Sequence, residues 1–211
     1  MTDPPTTAGG PHRPGPVGGD MAALIWGLAR RFRIPALTRR HDNTKVMGLF
    51  AGVNGLVAIA IMSAVAWATD QPFIFPSLGP TAFLLFYTPT SPAASPRNTV
   101  IGHAIGAAAG YLALVIFDLT ADPPALATEV TGGRVGAAAI SLALTSAVMV
   151  WARAPHPPAG ATTLIVSLGI LRDPDQLVVL MIAVILLTVQ GFVINRLAGI
   201  DYPVWRPRPA G

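Results

Sequence analysis

Four stretches of the sequence contain no Asp, Glu, Lys or Arg and are long enough to cross a lipid bilayer. They are residues 46–68, 98–117, 135–152 and 177–195. A transmembrane helix needs about 20 predominantly apolar residues, and in lipid only helices and closed barrels satisfy their own backbone groups. The four runs therefore predict an all-α transmembrane protein.

The composition agrees with this class. Hydrophobic residues make up 52% of the chain and charged residues only 11%, whereas soluble domains carry about 25% charged residues. The sequence has no cysteine, which excludes disulfides, thiolate metal sites and cysteine nucleophiles.

The chain outside the apolar runs is polar. Residues 1–20 are rich in Pro, Gly and Thr, and we predict a disordered tail. Residues 21–45 mix apolar and basic side chains, and we predict an interfacial amphipathic segment. Its basic cluster directly precedes the first apolar run and carries no nucleic-acid-binding motif, so we expect it to lie at the membrane surface. We expect residues 197–211 to be a cytoplasmic tail.

Two further uncharged stretches are interrupted by proline. The stretches between Asp70 and Arg97 and between Arg153 and Arg172 each begin with prolines and small residues and then become apolar. In an alignment of PSLGPTA (76–82) with PPAGATT (157–163), Pro, Gly and Thr recur at the same offsets. The pattern predicts two repeats of helix, broken half-helix and helix, at about 46–118 and 134–196, with six hydrophobic segments. Three crossings in each repeat would make the repeats inverted.

The charges between the segments suggest an orientation. Six crossings place the basic amino-terminal region, Arg97, Arg153 and the carboxy-terminal arginines on one side, and most acidic residues on the other. The positive-inside rule then makes both termini cytoplasmic, and we expect a bacterial inner membrane. If the two broken segments only re-enter, four helices cross, and Arg97 and Arg153 lie outside.

The broken segments predict an anion site. Proline disfavours helix in the residue before it, so we expect residues 73–79 and 155–158 to be extended. Helix can resume near Pro80 and Ala159, since proline is accepted in the first turn. A helix that begins inside the membrane presents free N–H donors and a partial positive charge, which suit an anion.

The candidate site residues follow from these helix starts. The candidate substrate-binding residues are Ser77, Gly79, Thr81, His156, Gly160, Thr162 and Thr163. The candidate pathway or steering residues are Arg97, His103 and Arg153. Each also has a structural interpretation: the hydroxyls could cap or pack helices, the glycines could permit close packing, and the histidines could be structural.

Other polar and small residues predict helix packing. We expect Asn54, Gln190 and Asn195 to form interhelical hydrogen bonds. Gly102, Gly106 and Gly110 recur at every fourth residue and predict a packing face, which could also serve an oligomer contact.

Several chemistries lack their motifs. The chain has no Walker sequence, no HExxH and no GxSxG element with an acid and a histidine to complete it. No acidic residue lies within a long apolar run, which leaves His103 and His156 as candidate proton carriers. We therefore expect no enzyme activity, no metal and no cofactor.

Three blocks of the sequence resemble the HPP family of integral membrane proteins. They are PFIFPSLGPTAFLLF (72–86), SPAASPRNTVIGHAIGAAAGY (91–111) and HPPAGATTLIVSLG (156–169), and the resemblance covers about residues 42–195. The family is usually described with four transmembrane helices and takes its name from the motif at residues 156–158. The resemblance implies nitrite transport, because plant and cyanobacterial members are assigned that activity.

The leading hypothesis is therefore transport of a small inorganic anion, nitrite above all, and the alternative is a non-transporting membrane scaffold or sensor subunit. The expected partners are a nitrite-like anion and the lipid bilayer, with a homo-oligomer as a further candidate and no nucleic acid.

Overall fold

The computed structural model describes residues 33–207 as a helical bundle. This part of the chain holds seven α-helices, one short 3₁₀ turn and no strand. The helices are α1 (Ile34–Leu37), α2 (Asn43–Thr69), α3 (Leu78–Tyr87), α4 (Pro96–Ile116), α5 (Gly132–Trp151), α6 (Ala159–Ser167) and α7 (Pro174–Leu197), and the 3₁₀ turn is Pro92–Ala94. The tail predicted at 1–20, residues 21–32 of the segment predicted at 21–45 and residues 208–211 lie outside the described residues.

The four long helices confirm the predicted spans. Helices α2, α4, α5 and α7 contain 27, 21, 20 and 24 residues, with mean hydropathy from 1.6 to 2.9. Each follows a polar residue whose side chain accepts from the first turn: Asp42, Ser95, Thr131 and Asp173. Such caps satisfy amide groups that have no partner within the helix. They explain why the helices extend a few residues beyond some of the apolar runs.

Helices α3 and α6 occupy the two proline-interrupted segments. They contain 10 and 9 residues, so each is about 15 Å long or less, against roughly 30 Å of hydrocarbon. Chain without regular secondary structure precedes both helices, at 72–75 and 154–156. The predicted extended segments end earlier than expected, because Ser77 and Pro158 already have helical backbone angles. Helix begins at Leu78, which places Pro80 in the first turn, where a missing N–H costs nothing. The order long, short, long thus occurs twice, while the inverted arrangement and the six crossings stay predictions.

The closest packing in the bundle joins α4 to α6 along a glycine stripe. A Cβ atom at Gly102 would lie 2.6 Å from the Cβ of His156, and one at Gly106 would lie 2.6 Å from the carbonyl oxygen of Ala159. At Gly110 it would lie 2.7 Å from the Cβ of Val166. The predicted packing face is therefore confirmed. The stripe is buried by α6 of the same chain and is not available to a second copy.

Arg97 joins three parts of the chain at one end of the bundle, which we call the Arg97 end. The backbone N–H of Arg97 donates to the carbonyl of Trp205 at 3.0 Å. Its guanidinium donates to the carbonyls of Ala152 at 3.0 Å and Arg153 at 2.9 Å. The start of α4, the end of α5 and the segment after α7 therefore lie together.

A buried arginine organises the other end, which we call the Arg134 end. Arg134 is 2% exposed. Its guanidinium donates to the carbonyls of Asp122 and Pro123 at 3.2 and 2.8 Å, and to that of Ser167 at 3.3 Å. Since the last carbonyls of a helix lack intrahelical partners and carry partial negative charge, this cation stabilises the end of α6 against the start of α5.

The predicted interhelical hydrogen bonds form in two cases of three. Asn195 Nδ2 donates to the carbonyl of Leu85 at 3.0 Å, which joins α7 to α3. Gln190 Nε2 lies 3.7 Å from the Sδ of Met62, which joins α7 to α2. The prediction for Asn54 is wrong, because its amide donates to the carbonyl of Phe50 one turn earlier in its own helix. Such local bonds compete with bonds to other helices.

The glycine stripe makes a stability prediction. We expect Gly106→Ala to lower the free energy of unfolding by about 1–3 kcal/mol, because the new methyl group overlaps the backbone of α6. Gly52→Ala is the matched control, since no atom lies within 4 Å of a Cβ at that position. We expect this control to keep or raise stability, because alanine favours helix over glycine by about 1 kcal/mol. Thermal unfolding in detergent would measure both. Equal melting temperatures would contradict the close contact.

Candidate functional site

The two short helices meet α4 at a buried polar cluster of four side chains. Thr81 and Thr162 are the fourth residues of α3 and α6, His103 lies on α4, and His156 lies three residues before the start of α6. All four residues are fully buried. His103 lies seven residues into α4, about 10 Å from the start of that helix. We call these residues the His–Thr cluster.

The cluster is connected by short contacts. Nε2 of His103 lies 3.2 Å from Nε2 of His156 and 2.9 Å from Oγ1 of Thr81. Nδ1 of His103 lies 2.7 Å from Oγ1 of Thr162. The two imidazole rings are 4.9 Å apart at their centroids. His103 thus contacts a residue from each broken segment.

The contacts select one arrangement of protons for neutral rings. Nδ1 of His156 lies 2.8 Å from the carbonyl oxygen of Ala93. That nitrogen must donate, since a carbonyl only accepts. Nε2 of a neutral His156 is then an acceptor, so Nε2 of His103 carries the proton between the rings. Nδ1 of His103 therefore accepts from the hydroxyl of Thr162, and the hydroxyl of Thr81 donates to the carbonyl of Ser77 at 2.9 Å.

Two buried hydroxyls beside the cluster have no partner. Oγ of Ser77 and Oγ1 of Thr99 make no hydrogen bond with any residue in the described range 33–207, although both residues are fully buried. Ser77 precedes Thr81 by four positions, and Thr99 precedes His103 by four, so each lies one helical turn from a member of the cluster. Buried hydroxyls are nearly always hydrogen-bonded, so each of these two lacks a partner that a bound ligand would supply.

The neighbouring threonines of α6 point to different helices. Thr162 contacts His103, whereas Oγ1 of Thr163 lies 2.8 Å from Oγ1 of Thr145 on α5 and donates to the carbonyl of Ala159. A Cβ at Gly160 would contact Leu142 of α5. The structure therefore places Thr163 and Gly160 in the contact between α5 and α6, outside the His–Thr cluster.

Gly79 also lies apart from the cluster. It is exposed on the outer face of α3, and no atom lies within 4 Å of a Cβ at this position. Its neighbour Thr81 points inward. The sequence motif therefore divides between two faces of one helix.

The predicted free amide donors at the start of α6 are wrong. The first three amides of α6 donate at 3.0–3.1 Å to the carbonyls of the HPP motif itself, His156, Pro157 and Pro158. At the start of α3, the N–H of Leu78 donates to the carbonyl of Phe75, and Pro80 has no N–H. Tight turns after the prolines bring these carbonyls within reach. The partial positive charge of aligned peptide dipoles remains at both starts, and side-chain hydroxyls and an imidazole add hydrogen-bond donors near it.

Of the three predicted pathway or steering residues, His103 lies in the His–Thr cluster, whereas Arg97 and Arg153 line one hollow at the Arg97 end. Its volume is about 290 Å³, and it is lined by Arg97, Ala152, Arg153, Arg206 and Pro207. Arg153 is exposed and precedes His156 by only three residues. The hollow is a positively charged surface close to the cluster along the chain.

The segment after α7 supports the cluster from the same end. The hydroxyl of Tyr202 donates at 2.6 Å to the carbonyl of Ala94. The adjacent carbonyl, that of Ala93, accepts the hydrogen bond from Nδ1 of His156. Burial raises the pKa of Tyr202, so the hydroxyl stays a donor. Ile200 and Tyr202 are buried. Residues predicted as a plain tail thus pack against the bundle.

Sequence reasoning missed four contributors. They are Thr99, Thr145, Arg206 and the carbonyl of Ala93. Thr99 could have been found, because it lies four residues before His103 and therefore on the same face of that helix. Thr145 carries no such signal, and the Ala93 carbonyl belongs to a backbone turn that residue types do not reveal.

Comparison with known proteins identifies the family. Residues 40–203 match the family described as HPP, transmembrane region. The chain belongs to the HPP family. The resemblance stated from the three sequence blocks is therefore confirmed, and it includes the His156–Pro158 motif and the glycine stripe.

Curated relatives of this HPP protein are known in Dictyostelium discoideum. A transmembrane protein of that organism is 33% identical over 112 residues, which are 53% of this chain and 33% of the relative. Another is 29% identical over 121 residues, which are 57% of this chain and 39% of the relative. The chain thus matches little more than a third of the length of these relatives. No solved structure matches it.

The separate environments of Thr162 and Thr163 can be tested by stability. We expect Thr163→Val to lower the free energy of unfolding by about 1–3 kcal/mol, because the buried hydroxyl of Thr145 would lose its partner. The double variant Thr145→Val/Thr163→Val should recover part of that loss, since both hydroxyls of the pair are then removed. Thermal unfolding of the single and double variants in detergent gives the coupling. Strictly additive losses would contradict the hydrogen bond.

Proposed function

We propose that this HPP protein transports a small inorganic anion across the membrane, with nitrite as its substrate. The observation that carries the proposal is the buried His–Thr cluster at the start of both short helices. Where a helix is interrupted in the membrane, its free backbone N–H and C=O groups must bond to other parts of the protein or face a water-filled cavity. Interrupted helices also form the substrate sites of many secondary transporters.

The cluster offers the donors that a small oxyanion needs. The hydrogens of Thr81, Thr162 and His103 are bonded within the cluster and would turn to a bound anion. The hydroxyls of Ser77 and Thr99 have no partner and supply two further donors. Neutral donors in a site that excludes water can replace the hydration of an anion. They do so without a permanent cation that would bind the anion too tightly to release it.

Cations at both ends suit the entry and exit of an anion. The hollow lined by Arg97, Arg153 and Arg206 would raise the local concentration of anions at one end. Buried Arg134 carries a positive charge at the other end. Its guanidinium is held by carbonyls, which neutralise it only in part.

With six crossings, the two repeats would form an inverted pair that can move against each other. The carbonyls of Ala152 and Arg153 place the end of α5 at the Arg97 end, and the carbonyl of Ser167 places the end of α6 at the Arg134 end. The end of α3 shares a surface hollow with Asn43, at the start of α2. These contacts support a chain that alternates between the two ends through all six segments. Movement of one repeat against the other would then expose the cluster to each side in turn.

The orientation follows from the positive-inside rule. We propose that the Arg97 end and both termini face the cytoplasm, in a bacterial inner membrane. A homo-oligomer is compatible with the exposed apolar surfaces of α2 and α5. The alternative function, a non-transporting scaffold or sensor subunit, would use the cluster only to fix the short helices.

Anion flux separates transporter from scaffold. Purified protein in liposomes should carry nitrite faster than protein-free liposomes, with nitrate, chloride and formate as comparison anions. We expect Thr162→Val and His156→Ala to lower the nitrite flux about tenfold or more, because each removes a hydrogen bond worth roughly 1.5–3 kcal/mol to a charged group.

The matched control is Ser146→Ala. The hydroxyl of Ser146 is exposed and bonds only to the carbonyl of Leu142 in its own helix, so this variant should transport as the wild type does. Absence of flux for every anion by folded protein would reject transport and favour the scaffold. Flux that survives both cluster substitutions would reject this site.

Cysteine labelling tests the six crossings. Ser95, between the first broken segment and α4, is fully buried and unsuitable for labelling, but Thr90 and Thr128 are exposed. The chain has no native cysteine, so Thr90→Cys and Thr128→Cys each give one labelling position. With six crossings, a membrane-impermeant maleimide added outside intact cells should label position 128 and not position 90. Labelling of position 90 and not position 128 would contradict six crossings, because a re-entrant α3 leaves position 90 outside and α4 then returns position 128 to the cytoplasm.

A further inference from the structure

We propose that the His103–His156 pair binds one proton together with each anion, so that the protein moves a monovalent anion and a proton in the same direction. This inference rests on the transport function proposed above. It names the co-transported ion, which neither the family nor the relatives indicate.

The hydrogen bonds of the pair accept one extra proton at little cost. In the neutral arrangement, Nδ1 of His103 accepts from the hydroxyl of Thr162 across 2.7 Å. A proton added at this nitrogen turns it into a donor to the same oxygen, and the threonine hydroxyl rotates to become the acceptor. The bond from His103 to His156 and the bond from His156 to the carbonyl of Ala93 stay as they are.

A second proton does not fit. It would have to bind Nε2 of His156, which faces Nε2 of His103 at 3.2 Å. Two N–H groups would then oppose each other, and two positive rings would lie 4.9 Å apart without water between them. The geometry therefore limits the pair to one added proton.

Among the described residues, none of the hydrogen-bond partners of the pair is a counter-ion. The partners of the two rings are two threonine hydroxyls and one backbone carbonyl, none of them charged. Helices α2 to α7 contain five charged side chains: Lys45, Arg97, Arg134, Asp175 and Arg196. The carboxylate of Asp175 lies in the first turn of α7. The guanidinium of Arg97 turns to the carbonyls of Ala152 and Arg153, and the loops next to the pair, 88–95 and 154–158, carry no charge.

An anion beside the pair supplies the missing charge. A buried unpaired cation is strongly disfavoured, and so is a buried unpaired anion. Bound together they form a neutral unit, so each raises the affinity of the cluster for the other by the same factor. The hydroxyls of Ser77 and Thr99, one turn from Thr81 and His103, would complete the shell of the anion.

The cycle balances in atoms and charge. On one side of the membrane Nδ1 of His103 takes up a proton and the cluster takes up the anion. On the other side both leave, the hydroxyl of Thr162 again donates to Nδ1, and the pair returns to its neutral arrangement. Each turnover moves one proton and one monovalent anion, with no net charge.

Proteoliposomes can measure the proton directly. Nitrite uptake would be followed with a pH-sensitive dye inside, at zero potential and at an inside-negative potential set by potassium and valinomycin. Protein-free liposomes give the background entry of nitrous acid. We expect one proton to enter with each nitrite above that background, and we expect the uptake rate to be the same at both potentials.

The outcomes separate this inference from the transport function. Uptake that slows at the inside-negative potential and brings no protein-dependent acidification would overturn proton co-transport and leave anion transport intact. Absence of any flux would overturn both.

Two variants and a control examine the pair itself. His103→Gln keeps an amide in the site but has no nitrogen that gains a proton, and we expect it to lose the proton uptake. Thr162→Ser keeps the hydroxyl and should retain one proton for each nitrite. His41→Gln alters an exposed histidine outside the bundle and should behave as the wild type. A folded His103→Gln protein that still takes up one proton for each nitrite would overturn the assignment to this pair.

Discussion

The close contact between α4 and α6 is the constraint on which the rest of the structure depends. Three glycines on one face of α4 let the backbone of α6 approach until Gly106 would have only 2.6 Å between a Cβ and the carbonyl oxygen of Ala159. Without a hydrophobic force between helices in lipid, such close van der Waals contact is a main source of association. It also brings the HPP motif against α4. The close approach of the two helices therefore puts His156 in contact with His103.

The four complete helices and the two broken segments satisfy their backbone groups in different ways. A complete helix satisfies its own backbone and can face lipid, as the largely exposed surface of α2 does. A short helix leaves its ends inside the bundle, where other parts of the chain must satisfy them. Arg134 does this for the last carbonyls of α6, and the carbonyls of the HPP motif do it for the first amides. Polar contacts are therefore concentrated at the ends of the short helices.

Residue patterns predicted much of this architecture because hydrophobic length and proline position determine it directly. The four spans, both short helices and the glycine face are visible as runs and repeats, and Thr81, Thr162, His103 and His156 were all predicted as candidates. The pairing of the two histidines was not predicted, because they lie 53 positions apart and only the helix crossing joins them. Nor could the sequence separate Thr162 from Thr163, since that difference depends on the rotation of α6. Nor could the sequence show that the rotation of α3 places Gly79 on its outer face.

The contact between Tyr202 and Ala94 links the site to residues that are not part of any membrane helix. The 3₁₀ turn at Pro92–Ala94 positions the carbonyl of Ala93, which accepts from Nδ1 of His156 and so keeps the proton on that nitrogen. The hydroxyl of Tyr202 donates to the adjacent carbonyl, that of Ala94. A force that pulls on the chain beyond α7 is therefore transmitted, through one hydrogen bond and one peptide unit, to the orientation of an imidazole in the core. A protein or domain attached there would act on the tautomer of His156 without entering the membrane.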